Sequence, residues 1–134
     1  MALPTEAYEV AWKNDESIRA TAEAILQEWQ NDVKEAEKSW ELTRLIESKE
    51  DPQRALSVIL GIMALDLRGE HISLLGAGPL EDLLGHSGSA CIDSIERLAA
   101  RNPKFKQVLS HVWPTPEMDS KVWQRVKEVL EQTG

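Results

Sequence analysis

Apolar residues in the first third of the chain recur every three or four positions: Ile18, Ala22, Ile25, Leu26, Trp29, Val33, Ala36 and Trp40. That spacing places them on one stripe of an α-helix. No Gly or Pro falls between Thr5 and Asp51, so nothing in the segment forces a break. Asn31-Asp32 is the weakest pair for helix propensity. The pattern predicts helices over about 15–30 and 33–48 with a bend between them, or one long helix through both.

Asp51-Pro52 reads as a helix start, a capping side chain followed by a proline whose missing N–H costs nothing at that position. Ala55, Leu56, Val58, Ile59, Leu60, Ile62, Met63, Ala64, Leu65 and Leu67 follow, apolar nearly all round. They predict a central buried helix, and Gly69 is expected to close it. Gly76-Ala77-Gly78-Pro79 predicts a turn that opens a short helix over 79–84, ended by Gly85. Ser87-Gly88-Ser89 offers capping hydroxyls for a helix over 89–101, with Cys91, Ile92, Ile95, Leu98 and Ala99 as its inner face.

Asn102-Pro103 repeats the capped proline start ahead of Phe105, Val108 and Leu109. Trp113-Pro114-Thr115-Pro116 cannot continue a helix. Asp119 is expected to cap the last one, whose inner side is Val122, Trp123, Val126, Val129 and Leu130. No stretch alternates with the period of two that a half-buried strand requires. The expectation is therefore an all-α single domain over residues 1–134, with residues 1–14 a loosely ordered N-terminal segment. Short connections favour about six to seven antiparallel helices stacked as helical hairpins, an arrangement that resembles a piece of a HEAT-like solenoid.

Length agrees with that picture, since 134 residues suffice for one self-sufficient core. The longest apolar run, 58–67, is interrupted by Gly61 and Asp66 and falls short of the ~20 residues that cross a bilayer. Residues 1–10 contain Glu6 and Glu9 and no basic residue, unlike a secretory signal, so a cytoplasmic location is expected. The lone Cys91 reads as a packed small residue rather than a nucleophile.

Charge adds a direction. The net charge of −8 is uneven, with six Lys/Arg against thirteen Asp/Glu in residues 1–51 and nine against ten in the remainder. An acidic face repels phosphates, which argues against nucleic acid or an anionic membrane as partner. It would steer a basic protein toward itself.

Candidate chemistry is thin. Gly76-Ala77-Gly78 lacks the third glycine, the preceding strand and the Lys-Ser/Thr pair of phosphate-binding loops, and Glu81 and Asp82 already occupy the following first turn. His71, His86 and His111 stand far apart in sequence, without the helical spacing of a metal site. Capping or solvated roles are expected for them. Asp93 with Glu96 and Glu37 with Glu41 are carboxylates at helical spacing, and Arg97 and Lys38 stand ready to neutralise them as surface charges. An enzyme would have to draw on His71, His86, Glu81 and Asp82, from which nucleophile, base and oxyanion donors cannot be named together. No catalytic residue, metal or cofactor is expected.

Tryptophan is the unusual count, five against one Tyr and one Phe. Trp29, Trp40 and Trp123 fall on apolar faces and read as core anchors. Trp12 and Trp113 lie outside the expected helices and are candidates for exposed binding anchors.

The order Leu74-Leu75-Gly76-Ala77-Gly78-Pro79-Leu80-Glu81-Asp82-Leu83-Leu84, then Ile92-Asp93, Ala100-Arg101-Asn102-Pro103-Lys104-Phe105, Val112-Trp113 and Val122-Trp123 resembles a family of uncharacterised bacterial proteins. The resemblance spans about residues 52–130. It implies a helical domain, carries no activity or catalytic residues, and concerns small acidic proteins of the kind that accompany toxin or defence genes.

Together these features lead to an expected interaction protein, in first place an immunity protein that neutralises a cognate basic toxin by direct binding. A helical adaptor or regulatory protein is the alternative. The expected contact surface comprises Glu28, Asp32, Glu35, Glu37 and Glu41, with Trp12 and Trp113 as anchors.

Overall fold

The computed structural model describes residues 16–30, 43–47, 49–65 and 69–131. Among them every regular element is helical. In chain order these are α1 (Glu16–Gln30), α2 (Pro52–Ala64), α3 (Gly69–Leu75), a π-helical turn (Gly76–Leu80), α4 (Glu81–Arg101), α5 (Pro103–Leu109) and α6 (Ser120–Glu131). A further helical stretch lies at 43–47. The protein is all-α. The expected bend at Asn31-Asp32, the helix through Val33, Ala36 and Trp40, and the N-terminal segment 1–14 lie outside the described residues.

The central helix forms where its sequence places it. Arg54 N–H donates to Asp51 Oδ1 at 3.0 Å, and Pro52 takes the first helical position. Every residue from Ala55 to Met63 is buried, Ser57 and Gly61 included. Ser57 returns its hydroxyl hydrogen to Gln53 O at 2.9 Å, which lets a polar side chain sit inside at little cost. α2 packs against α1 and against α4, and α4 packs in turn against α6. Side chains from all the described helices, among them Ile25, Ile46, Leu56, Leu75, Leu84, Ile95, Phe105 and Val126, join one core.

Three expectations are corrected. α2 ends at Ala64, and Gly69 opens α3 instead of closing α2. Leu65 turns the chain at φ −79, ψ 173, with its N–H on Ile62 O at 3.1 Å. The apolar pattern runs past that end because the turn lies at the core's edge, where Leu65 still packs.

Gly76-Ala77-Gly78-Pro79 is not a turn between elements but a widened helical one that joins α3 to α4. Glu81 N–H reaches back to Gly76 O, the five-residue spacing of a π-helix. The wider turn accommodates Pro79, whose ring lacks a donor and crowds the carbonyl one ordinary turn earlier.

Nor does Gly85 end a helix. α4 runs on to Arg101 with a kink at Ser87, where φ −140 and ψ 29 leave the helical region. Ser87, expected to offer a capping hydroxyl, is buried in that kink.

The remaining starts and stops agree with the sequence. Asn102 Oδ1 accepts from Lys104 N at 3.0 Å and Phe105 N at 3.2 Å. Asp119 Oδ1 accepts from Lys121 N at 2.7 Å ahead of α6. The inner face expected for residues 89–101, Cys91, Ile92, Ile95, Leu98 and Ala99, is buried throughout.

Candidate functional site

Of the aromatic candidates, Trp113 is the one the structure displays. It follows α5 in the segment that Pro114 and Pro116 keep from being helical, and it is 72% exposed. Its backbone is nonetheless held, since Trp113 N–H donates to Glu81 Oε1 at 2.8 Å. Glu81 thus does two things at the start of α4: it favours the helix dipole and it ties down a loop more than thirty residues away. Trp123 is half-buried against the core, as expected. Among the described residues Leu74 is the other exposed large hydrophobic side chain.

The acidic candidates Asp32, Glu35, Glu37 and Glu41, and with them Trp12 and Trp40, lie outside the described residues. Glu28 has its backbone in α1, with its side chain outside the described set.

The carboxylates the structure does bring together are different ones. Asp82, exposed on the first turn of α4, has its pKa raised above the ordinary 3.8. Protein packed along one side of the carboxyl is the main cause, and repulsion from Glu81, Glu47 and Glu117 adds to it. His86, one turn further along α4, acts in the opposite direction. Glu47 comes from the 43–47 stretch and Glu117 from the loop before α6, so tertiary folding assembles this group from three parts of the chain.

A second charged group joins α6 to α4. Arg125 Nε donates to Glu96 Oε2 at 3.0 Å and Nη2 to Asp93 Oδ1 at 2.6 Å, with a further contact from Nη2 to Glu96 Oε1. The guanidinium holds Asp93 below the usual carboxylate range, chiefly through the hydrogen bond. Asp93 is therefore neutralised mainly from a distant helix, with Arg97 adding only a smaller charge effect, and Glu96 is bonded to the same guanidinium. Sequence spacing shows neighbours on one helix but not which side chains a second helix brings.

The candidate enzymatic residues are scattered in environment. His71 is buried in α3, contrary to the solvated or capping role expected of it, with Nε2 3.9 Å from Glu70 Oε1. His86 is half-buried and Glu81 is engaged with the Trp113 backbone. Burial pushes the Cys91 thiol up to about 11, so little of it is thiolate at neutral pH. Among the described residues no three His, Cys, Asp or Glu side chains are grouped so as to hold a metal ion. Among them, too, no helix is long and apolar enough to cross a membrane.

A small all-α protein of net charge −8 with a displayed tryptophan is the class that fold and sequence define. The chain belongs to a family of unknown function, DUF6869, whose sequence profile matches residues 27–134. No curated protein and no solved structure matches it.

Proposed function

We propose that the protein is a small cytoplasmic interaction protein, an immunity protein that neutralises a cognate bacterial toxin by binding it directly. The observation that carries this reading is Trp113, a large aromatic side chain 72% exposed on a backbone held in place. Exposing an indole forgoes burial free energy, and an exposed tryptophan on an anchored backbone is the kind of residue that dominates binding at the centre of an interface. The net charge of −8 supports a basic partner. Long-range attraction toward the acidic N-terminal half, Glu28, Asp32, Glu35, Glu37 and Glu41, raises the association rate, while the tryptophan supplies short-range energy.

Co-expression with the toxin encoded beside its gene tests the proposal. Growth should be rescued and the two chains should co-purify. Reversing Glu35, Glu37 and Glu41 to Lys should slow association by about tenfold at low salt and far less at high salt. Absence of rescue together with absence of co-purification would remove the basis for the immunity reading.

A further inference from the structure

The segment between α5 and α6 lies across the beginning of α4 rather than out in solvent. Trp113 N–H is fastened to Glu81. Further on, Thr115 Oγ1 and Glu117 Cβ stand 3.1 Å and 3.8 Å from where a Cβ on Gly85 would be. Glycine at 85 thus permits the close crossing. The crossing anchors the backbone of the exposed Trp113 at the end of α4 that carries Glu81 and Asp82, and it brings Glu117 beside Gly85 one turn further on. Asp82 experiences the negative charges of Glu81, Glu47 and Glu117, opposed by His86.

An indole face attracts a cation through the ring quadrupole, most strongly when solvent is displaced. Carboxylates beside it add charge-assisted hydrogen bonds. Arginine uses both, because its flat guanidinium stacks on the ring while its fork of donors addresses carboxylates at the edge. Phosphate groups would be repelled. A second copy of this chain would bring a net −8 against −8.

We infer that Trp113, with Glu81, Asp82 and Glu117, forms the docking surface for an arginine-bearing basic segment of a partner protein. The inference rests on the reading of the chain as a binder of a basic protein and names where that contact is made.

The test uses the full chain, labelled with ¹⁵N, and a short capped Arg-Gly-Arg-Gly peptide as probe, with Lys-Gly-Lys-Gly as comparison. Shifts should concentrate at the Trp113 indole and at Glu81, Asp82 and Glu117, and the arginine peptide should bind the tighter. Trp113→Ala keeps the backbone N–H that Glu81 holds, so circular dichroism should be unchanged while affinity falls about tenfold. Asp82→Asn and Glu117→Gln should each weaken binding about two- to fivefold.

Three results would overturn the inference: shifts confined to residues 28–41, equal affinity of Trp113→Ala and the parent chain, or a Trp113-dependent dimer in sedimentation. Failure here is separable from failure of the immunity reading. A neighbouring toxin that binds the parent and Trp113→Ala alike removes this surface and leaves the reading. Peptide docking at Trp113 with no toxin neutralised does the reverse.

Discussion

A methyl group added at Gly76 would stand 2.1 Å from Val108 O and 2.8 Å from His111 Cβ. Backbone atoms cannot swing aside as side chains do, so the π-helical turn and α5 would have to separate. The Gly76 position therefore serves close approach. At Gly88 the obstacle is the Val122 side chain, with Cγ1 at 2.9 Å, which a rotamer change or a small helix shift can relieve. Gly69 has nothing within 4 Å. The three make a graded series under urea denaturation. Gly76→Ala should cost about 3 kcal/mol and Gly88→Ala about 1 kcal/mol. Gly69→Ala should stabilise by roughly 0.5 kcal/mol, because alanine restricts the unfolded chain. Equal losses at Gly76 and Gly69 would contradict a close approach at Gly76 that Gly69 lacks.

At the scale of the element, α5 shows how a short helix is held. Seven residues, Pro103–Leu109, are too few to be stable in isolation. Asn102 satisfies two of the first free N–H groups, and Phe105, Val108 and Leu109 are buried on the inner side. Asn102→Ala should lower unfolding free energy by about 1 kcal/mol, with Asn102→Asp close to the parent. Phe105 is fully buried, so the cap matters only while the core contact exists. Amide exchange would show this: in Asn102→Ala the Lys104 and Phe105 amides should exchange faster than those at Val108 and Leu109. α4 gives the complementary lesson. Its kink at Ser87 and close approaches at Gly85 and Gly88 answer to the α5–α6 loop and to Val122, not to local propensity.

At the scale of the whole molecule, folding places like charges together at one end of α4 and opposite charges together across α4 and α6. The two arrangements respond to pH in opposite senses. Asp82 has a raised folded-state pKa, so the stability linked to its protonation is present below 3.8 and is lost as pH rises through the folded value. Asp93 has a lowered one, so its contribution is present above 3.8 and is lost as pH falls through the folded value. Asp82→Asn should therefore raise the melting temperature at pH 7, and Asp93→Asn should lower it. Both differences should shrink in acid. Thermal melts across that range check the signs, and a stabilising Asp93→Asn would refute the role given to Arg125.

The residues that made the fold legible act locally. Asp51-Pro52, Asn102-Pro103 and Asp119 cap helices through side chains two or three positions from the amides they serve, so their geometry is written in nearby residues. The burial of Ala55–Met63 follows from a nearly unbroken apolar run, and that of Cys91, Ile92, Ile95, Leu98 and Ala99 from helical periodicity. The display of Trp113 was half legible. Its neighbouring prolines exclude a helix, but exposure depends on where the loop crosses. What tertiary structure alone decided are contacts between residues distant in sequence: Glu81 with Trp113, Asp82 near Glu47 and Glu117, and Arg125 with Asp93 and Glu96. Gly76 belongs with them. In sequence, glycine before Gly78-Pro79 reads as a turn, because backbone freedom is the local use of glycine. In the folded chain the missing side chain matters instead, and the atom that occupies its place is the carbonyl oxygen of Val108.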